Sequence, residues 1–231
     1  MAVLEARRAG KDFLSGGTPV AAVREVSLSI NAGELVAITG PSGSGKSTLL
    51  HLFGGITRPT RGAVLVEGVD LAGLDDDGLA LLRRRRIGCV FQRYNLFPEF
   101  TLEENVALPL VLDGTPAARA AAAAREALAA VGLAARAGHR PDALSGGEQQ
   151  RGAIARALIA QPAVVLADEP TGALDTANGA IVMDLFRSLV RDRGQTVVLV
   201  THDAGIAAAV PRRIAMRDGR VEADGPAGVA S

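Results

Sequence analysis

Lysine is scarce in this chain, so each lysine that is present carries information. Lys11 and Lys46 are the only two, and arginine supplies the other 23 of the 25 basic residues. A guanine-recognition motif of the form N-K-x-D needs a lysine directly after an asparagine, and neither lysine follows one. A guanine-nucleotide switch of that type is therefore excluded.

Cysteine, aromatic residues and long apolar runs are also scarce. The single Cys89 rules out an internal disulfide, and its apolar setting in 87–91 predicts a small buried hydrophobe, with a reactive thiol as the minor alternative. Aromatic residues make up 3% of the chain, with no Trp. No run approaches the roughly 20 apolar residues needed to span a bilayer, so we expect a cytoplasmic protein.

Acidic and basic residues balance at 25 each, so net charge does not indicate a nucleic acid or an acidic membrane as partner. The four consecutive arginines 83–86 could contact nucleic acid, but Asp75–Asp77 precede them on a short predicted helix. We expect a solvated charged face there. The 231 residues suffice for one domain, or for a domain with an insert.

The segment Gly40–Ser47 fits the phosphate-loop pattern G-x-x-x-x-G-K-[ST]. An apolar strand, Leu35–Ile38, is predicted before it and a helix, Ser47–Phe53, after it, which is the context that the motif requires. The glycines allow a tight loop with inward-pointing N–H groups, and Lys46 adds a full positive charge. A plain glycine-rich turn is the alternative, and these flanks disfavour it.

Two acids follow the apolar strand predicted at 163–167. Ligands collect at the carboxyl ends of parallel strands, so Asp168 can help to hold Mg²⁺ while Glu169 polarises an attacking water. Ser47 would bind the metal through its hydroxyl, and Gln92, at the end of another predicted strand, would be a second contact to the metal or the water. Ordinary turn formation is the alternative for the two acids.

His202 and Phe13 are further candidates. His202 follows the buried strand predicted at 196–201, where its imidazole could contact a terminal phosphate or orient water near Glu169; a purely structural histidine is the alternative. Phe13 precedes the turn at Gly16–Gly17, and we expect its ring on a loop edge, where it could stack on a base or merely cover the sheet edge.

The segment Leu144–Arg151 starts another predicted helix. Ser145 and Glu148 fit a capping box, which accounts for two of its residues as a plain helix start. The pair Gly146–Gly147 is left without a local explanation, and it would bare N–H groups at the helix start as a second anion site. A nucleotide bound at the phosphate loop would not need a second anion site in the same chain. The second site therefore suggests that a nucleotide is shared between two chains.

The order of these motifs, together with Gly172–Asp175, resembles that of ATP-binding cassette ATPases over nearly the whole chain. The resemblance implies an α/β fold: a P-loop NTPase core with a parallel sheet (1–92 and 159–231), an N-terminal antiparallel β region and an inserted α-helical subdomain (93–158). It implies ATP and Mg²⁺ as cofactors, and two copies joined head to tail, with Asp175 at the seam. The implied nucleotide contacts are Phe13, Gly40, Pro41, Ser42, Gly43, Ser44, Gly45, Lys46, Ser47, Thr48, Ser145, Gly146, Gly147, Glu148 and Asp175.

Within the family, residues 84–110 are similar to the branch that serves lipoprotein-release and macrolide-export systems. A membrane permease would then contact Gln92–Phe100 and hold the ATPase at the cytoplasmic face of the membrane; packing of these aromatics within the helical subdomain is the alternative. The family's usual Gln is replaced by Glu148, and the usual adenine-stacking Tyr by Phe13. A soluble relative acting on DNA would need a long heptad-repeat insert between Gln92 and Ser145, and none is present.

Overall fold

The computed structural model describes residues 1–227, in which the chain forms ten β-strands and seven α-helices. The strands are β1 (Ala2–Ser15), β2 (Thr18–Asn31), β3 (Leu35–Thr39), β4 (Arg61–Val66), β5 (Val69–Asp70), β6 (Ile87–Val90), β7 (Val164–Asp168), β8 (Thr196–Val200), β9 (Arg212–Arg217) and β10 (Arg220–Pro226). The helices are α1 (Lys46–Phe53), α2 (Asp76–Arg86), α3 (Leu102–Leu112), α4 (Ala117–Ala130), α5 (Gly146–Leu158), α6 (Thr176–Arg193) and α7 (Ala204–Ala208). None of these helices is long and apolar enough to cross a membrane.

The strands form two sheets. An N-terminal antiparallel sheet has the order β2-β1-β4-β5, and a six-stranded sheet has the order β10-β9-β3-β8-β7-β6. In the six-stranded sheet β9, β3, β8, β7 and β6 are parallel, and β10 pairs antiparallel with β9. The α/β class, the parallel sheet and the N-terminal antiparallel region predicted from the sequence are confirmed.

The parallel strands bring the candidate residues together. β3, β7 and β8 are short apolar runs buried on both faces, as strands covered by helices on each side must be. Because parallel strands end at one edge of the sheet, the segments that follow β3, β7 and β8 meet there. This edge carries the phosphate loop, Glu169 and His202.

Three apolar cores support this edge. One joins the N-terminal sheet and α1 to one face of the six-stranded sheet, and a second packs α6 against the other face. The third lies between α3, α4 and α5, within the segment 93–158 predicted to be a helical subdomain. That division into subdomains stays a prediction.

Phe13 lies on a strand, so its expected position on a loop edge is wrong. The hairpin pairs Phe13 with Val20 and extends the ladder as far as the turn at Gly16–Gly17. Because Phe13 lies near the turn of this long hairpin, the residue is still 46% exposed. The strand predicted at 23–30 likewise begins earlier, at Thr18.

Candidate functional site

The phosphate loop connects β3 directly to α1. Gly45 lies in the left-handed region with φ 95°, and a Cβ there would collide with the carbonyl oxygen of Ala22, so only glycine fits. No side chain caps the start of α1, and its first turn carries no acidic residue. The positive end of the helix is therefore available to an anion.

Lys46 is the first residue of α1 and is 8% exposed. Its ammonium group donates hydrogen bonds to the carbonyl oxygens of Gly40 (2.9 Å) and Pro41 (2.8 Å), which hold it against the loop. An ammonium group has three donors, so one remains for a further acceptor. A compact point charge suits this crowded position better than a planar guanidinium group would.

Ser47 and Asp168 provide two oxygen ligands on neighbouring elements. The Ser47 hydroxyl donates to Asp168 Oδ1 at 3.1 Å, which joins the first turn of α1 to the end of β7. No cluster of three or more acidic, His or Cys side chains able to hold a metal occurs in residues 1–227. Mg²⁺ commonly takes only one or two protein oxygens and completes its shell with phosphate and water, so this pair fits it.

Glu169 and His202 form a second polar pair at the same edge. His202 Nδ1 lies 2.8 Å from Glu169 Oε1, and an ionised carboxylate assigns the Nδ1 proton to the imidazole. Glu169 has a left-handed backbone (φ 47°), which is uncommon outside glycine and is found at functional sites. Its side chain is 16% exposed and that of His202 is 71% exposed. The contact with the imidazole therefore restricts the orientation of the less exposed carboxylate.

These residues surround a cleft of about 470 Å³, called here the loop cleft. It is lined by Phe13, Ala22, Ser42, Gly43, Gly45, Lys46, Ser47, Thr48, Glu169 and His202. The Lys11 ammonium, which does not line the cleft, lies 5.1 Å from the centroid of the Phe13 ring. Ala22 also lines the cleft, although the sequence did not indicate it. It belongs to no motif, and the path of β2 brings it to the phosphate loop.

Five predicted residues take other positions near the loop cleft. Asp168 contacts the lining residue Ser47 but does not itself line the cleft. Gly40, Pro41 and Ser44 belong to the loop but do not line the cleft, and the Ser44 hydroxyl is buried without a hydrogen-bond partner within 1–227. Gln92 is exposed, and its Nε2 lies only 2.9 Å from where a Cβ on Gly172 would be. Gln92 thus lies beside the turn that follows Glu169, and its contact with metal or water stays a prediction.

The start of α5 has the capping box that the sequence indicated. The Ser145 hydroxyl accepts from the Glu148 N–H, and Glu148 accepts from the Ser145 N–H at 2.8 Å. Arg136 Nε also donates to Glu148 at 2.8 Å. The Ser145 amide, and then Arg136, hold the pKa of Glu148 below its ordinary value.

The glycine pair 146–147 packs against side chains from distant parts of the chain, which agrees with the absence of a local explanation in the sequence, and the second anion site stays a prediction. A Cβ on Gly146 would come within 2.7 Å of the Tyr94 hydroxyl. A Cβ on Gly147 would overlap the side-chain oxygen of Asn178. Both neighbours come from distant parts of the chain, so the sequence pattern alone could not indicate them. The absence of a Cβ at both positions lets these side chains approach the helix start, where Gly147 is buried.

Asp175 caps α6 and lies next to this helix start. It accepts from the Asn178 N–H (2.8 Å) and from the Asn178 side chain (2.7 Å), and these hydrogen bonds lower the pKa of Asp175. Asn178 therefore connects Asp175 to Gly147. Neither Asp175 nor any residue of 145–148 lines the loop cleft of the same chain.

Arg156 is a contact that the sequence did not indicate. From the last turn of α5 it donates to the carbonyl oxygens of Tyr94 and Asn95, two consecutive residues with left-handed backbones (φ 59° and 52°). Positive φ at non-glycine residues costs free energy that surrounding contacts must offset. The segment after Gln92 thus contacts both ends of α5. Tyr94 lies beside Gly146 at the start of the helix, and Arg156 donates hydrogen bonds to the segment from the last turn.

The four arginines 83–86 make intramolecular contacts. Arg85 and Arg86 pair with Asp113 and Glu67, Arg84 donates to the Leu112 carbonyl oxygen, and Arg83 donates to that of Gly55. Three of the four therefore lie near carboxylates of the same chain, since Arg84 is also 3.5 Å from Asp113. This agrees with the charged face expected from the sequence.

Comparison with known proteins decides the family. The family model described as "ABC transporter" matches residues 23–172. The chain belongs to the ABC transporter family. An uncharacterized ABC transporter ATP-binding protein of Thermotoga maritima is 49% identical over 220 residues, which cover 95% of this chain and 94% of that protein. The ATPase activity expected from the sequence is confirmed at the level of this family.

The macrolide export ATP-binding/permease protein MacB of Rhodopseudomonas palustris is 48% identical over 221 residues. This alignment covers 96% of the chain but 34% of the MacB protein, so the chain spans about a third of the MacB relatives it matches. Among solved structures, the ATP-binding cassette MJ0796 in a dimeric post-hydrolysis state with ADP and Pi superposes with TM-score 0.89. It is 41% identical, and the match covers 98% of this chain and 100% of that one. The P-loop NTPase fold of the family is confirmed.

Proposed function

We propose that two copies of this chain close head to tail around two MgATP molecules, and that hydrolysis reopens them to drive a separate membrane permease of the macrolide-export or lipoprotein-release type. The observation that carries the proposal is the division of the site. Lys46, Ser47, Glu169 and His202 line one cleft, whereas the Ser145 helix start lies outside it.

The residues of the loop cleft, and Asp168 beside it, take the following roles. The loop amides and Lys46 bind the phosphates, and Phe13 stacks on the adenine. Ser47 and Asp168 hold Mg²⁺, which neutralises charge on the phosphate oxygens when bound. Glu169 accepts a proton from the attacking water, while His202 keeps the Glu169 carboxylate in position and lies within reach of the terminal phosphate.

The second copy completes each site from the start of its α5. Ser145 and Gly147 of that copy contact the γ-phosphate, and its Asp175 lies at the seam. The Glu148 carboxylate is already engaged by the Ser145 amide and by Arg136 of its own chain. We therefore propose that Glu148 stabilises this helix start and does not itself bind nucleotide, which accounts for Glu in place of the usual Gln.

The permease contacts the segment Gln92–Phe100, which would place the ATPase at the cytoplasmic face of the membrane. The buried Asn105 side chain fixes this segment: it accepts from the Phe97 N–H (2.6 Å) and donates to the Phe97 and Phe100 carbonyl oxygens. The Phe97 and Phe100 rings are 47% and 38% exposed, with centroids 5.6 Å apart. A fixed backbone with outward-facing rings favours docking over internal packing.

The relatives support each part of this proposal to a different extent. MJ0796 forms a dimer, in one structure with ADP and Pi. The MacB relatives are named as combined ATP-binding and permease proteins. The Thermotoga relative is named as an ATP-binding protein alone, and nearly its whole length aligns with this chain. Together, these observations favour an ATP-binding chain that forms a dimer and works with a separate membrane permease of the MacB type.

Two substitutions test the proposal. Lys46→Ala is expected to weaken ATP binding at least about tenfold, because it removes a charge-assisted contact to phosphate. Ser145→Arg is expected to leave binding by the monomer unchanged and to stop hydrolysis, because it blocks the site of the second copy. Ser29→Arg adds the same charge at an exposed position of β2 and is the matched control. Steady hydrolysis by Ser145→Arg would contradict the shared site.

A further inference from the structure

Gln150 is a buried polar residue of α5 to which the proposed function gives no role. The residue is 0% exposed. Its Nε2 group donates a hydrogen bond to the carbonyl oxygen of Pro170 at 2.6 Å, whereas its Oε1 atom has no hydrogen-bond partner within residues 1–227. Because Pro170 directly follows Glu169, this hydrogen bond joins α5 to the turn that carries the proposed base.

The unpartnered amide oxygen makes glutamine unfavourable at this position unless another contact compensates. A buried acceptor without a hydrogen bond loses its contacts with water and gains none in the folded chain. An apolar side chain of similar size, such as methionine, would fill the same space without this loss. The hydrogen bond to Pro170 is the contact that offsets the burial of the amide.

The carbonyl oxygen of Pro170 depends on this donor. Proline has no backbone N–H, so this oxygen is the only polar group of the buried Pro170. The carbonyl oxygens on either side, those of Glu169 and Thr171, each accept from a backbone N–H of the turn at 3.0 Å. Within residues 1–227 no backbone N–H donates to the Pro170 oxygen, and Gln150 is its donor.

The backbone of Glu169 has to be held, because its conformation is strained. Its φ of 47° lies in the left-handed region, which costs a non-glycine residue free energy. Before this φ, the Glu169 N–H donates to the carbonyl oxygen of Val200, the last residue of β8, at 3.0 Å. After it, Gln150 fixes the next carbonyl group. Hydrogen bonds to two different elements, β8 and α5, therefore restrain the strained residue from both sides.

The direction of the Glu169 carboxylate follows from this backbone, because rotation there moves the whole side chain. His202 also contacts the carboxylate, but the His202 side chain is 71% exposed, so water competes for that contact. Gln150 is shielded from water, where a hydrogen bond is electrostatically stronger. Loss of the Gln150 amide should therefore release the turn even where the contact with His202 remains.

We propose that Gln150 is a positioning residue for Glu169: its amide holds the turn at Pro170, so that the carboxylate faces the loop cleft. Gln150 does not line the cleft, and it acts on the reaction only through the backbone of this turn. The inference rests on the role of Glu169 as the base, proposed above, and adds the residue that fixes its orientation. Displacement of a catalytic group by about 1 Å can lower a rate by roughly 10²-fold.

Gln150→Met tests the proposal, because methionine has a similar size and no hydrogen-bond donor. The substitution exchanges one unpartnered buried oxygen, on Gln150, for another, on Pro170, so the chain should still fold. We expect kcat for ATP to fall by roughly 10- to 10²-fold, while KM and the affinity for a fluorescent ATP analogue change by less than about twofold. Gln150→Leu, with a different apolar shape, should give the same result.

Gln195→Met is the matched control. The Gln195 Nε2 group also donates to a prolyl carbonyl oxygen, that of Pro162, at 3.1 Å. Gln195 lies directly before β8, whereas His202 lies beyond the other end of that strand, so Gln195 is far from the loop cleft. Gln195→Met should keep the kcat of the unsubstituted chain. A loss of kcat as large as that in Gln150→Met would assign both effects to general destabilisation and overturn the proposal.

A second background separates the positioning of Glu169 from any other effect of Gln150. In a Glu169→Gln chain the base is already lost, so the addition of Gln150→Met should change the residual single-turnover rate by less than about twofold. If Gln150 acted through the start of α5 or through the shared site, its loss would lower that residual rate again. A similar loss in the two backgrounds, or an unchanged kcat in Gln150→Met alone, overturns the proposal.

The Glu169→Gln chain by itself separates this inference from the proposed function. An unchanged rate of hydrolysis in Glu169→Gln would reject the role proposed for Glu169. Normal hydrolysis by Gln150→Met, beside slow hydrolysis by Glu169→Gln, would reject the role of Gln150 alone.

Discussion

Glu169 is held in one orientation by its left-handed backbone and by His202 Nδ1 at 2.8 Å. We expect Glu169→Gln to lower the rate of steady ATP hydrolysis by about 10²–10⁴-fold, because an amide cannot accept the proton of the attacking water. Because we propose that the loop and Lys46, and not Glu169, bind the phosphates, the affinity for ATP should change little. Steady-state kinetics and equilibrium binding of a fluorescent ATP analogue measure the two effects separately.

Glu222→Gln is the matched control for this substitution, because Glu222 is an exposed carboxylate on β10 that does not line the loop cleft. It should hydrolyse ATP at the rate of the unsubstituted chain. An unchanged rate of ATP hydrolysis in Glu169→Gln would show that Glu169 is not the base that accepts the proton of the attacking water.

Cys89 gives a second prediction at the scale of one residue. Burial raises the pKa of its thiol to about 11, and the nearby Arg83 and Arg156 only partly oppose this. Since the thiolate is the reactive form, at pH 8 the reactive fraction should be lower than that of an ordinary cysteine by roughly 10²-fold. Iodoacetamide should accordingly modify the native chain about 10²-fold more slowly than the chain unfolded in urea. Similar rates in the two states would contradict the burial of this thiol.

The start of α5 is the element whose stability should depend on pH. Its Glu148 carboxylate has a lowered pKa in the folded chain, so its stabilising contribution is present above the unfolded pKa near 4.5 and is lost as the pH falls through the lowered value. Glu148→Gln keeps the capping hydrogen bond but removes the charge and the pair with Arg136. We expect a loss of about 0.3–1 kcal/mol at pH 7.

Thermal unfolding at several pH values measures this difference, which should be about 1–4 °C at pH 7 and should shrink below pH 4.5. Glu126→Gln, an exposed substitution on α4, is the control and should have no such pH dependence. A difference between Glu148→Gln and the unsubstituted chain that grows as the pH falls would contradict the assigned role of Glu148.

The strands and helices of this chain were predictable where a local pattern determines them. The apolar runs before Gly40, Asp168 and His202 predicted three buried parallel strands, and the capping pair at Ser145 and Glu148 predicted the start of α5. Phe13 was wrongly expected in a loop, because the length of a hairpin depends on its partner strand and not on the residues beside the turn.

Contacts between distant segments were not predictable from the pattern. The packing of Tyr94 on Gly146 and of Asn178 on Gly147 joins residues far apart in sequence, and nothing local indicates them. The same holds for Arg156, whose guanidinium group stabilises the backbone of Tyr94 and Asn95. Apart from Ala22, the residues of the loop cleft were predictable, because nucleotide chemistry requires particular residue types in a phosphate loop and at strand ends. The contacts that hold α5 follow no such sequence pattern.

At the scale of the whole molecule, we propose that each ATP is shared by two chains. Within one chain the phosphate loop lines the loop cleft, and Ser145 and Asp175 lie outside it. Binding energy available only in the closed pair can drive closure, and loss of the γ-phosphate contacts on hydrolysis can drive opening. In this proposal, mechanical output therefore requires the second copy.

Mixing two inactive variants tests this sharing most directly. Lys46→Ala and Ser145→Arg should each hydrolyse no ATP alone. In a mixed dimer, the intact Lys46 of one chain meets the intact Ser145 of the other, which restores one of the two sites. The mixture should recover up to roughly a quarter of the unsubstituted rate for random two-fold pairing. A mixture as inactive as its components would contradict the shared site.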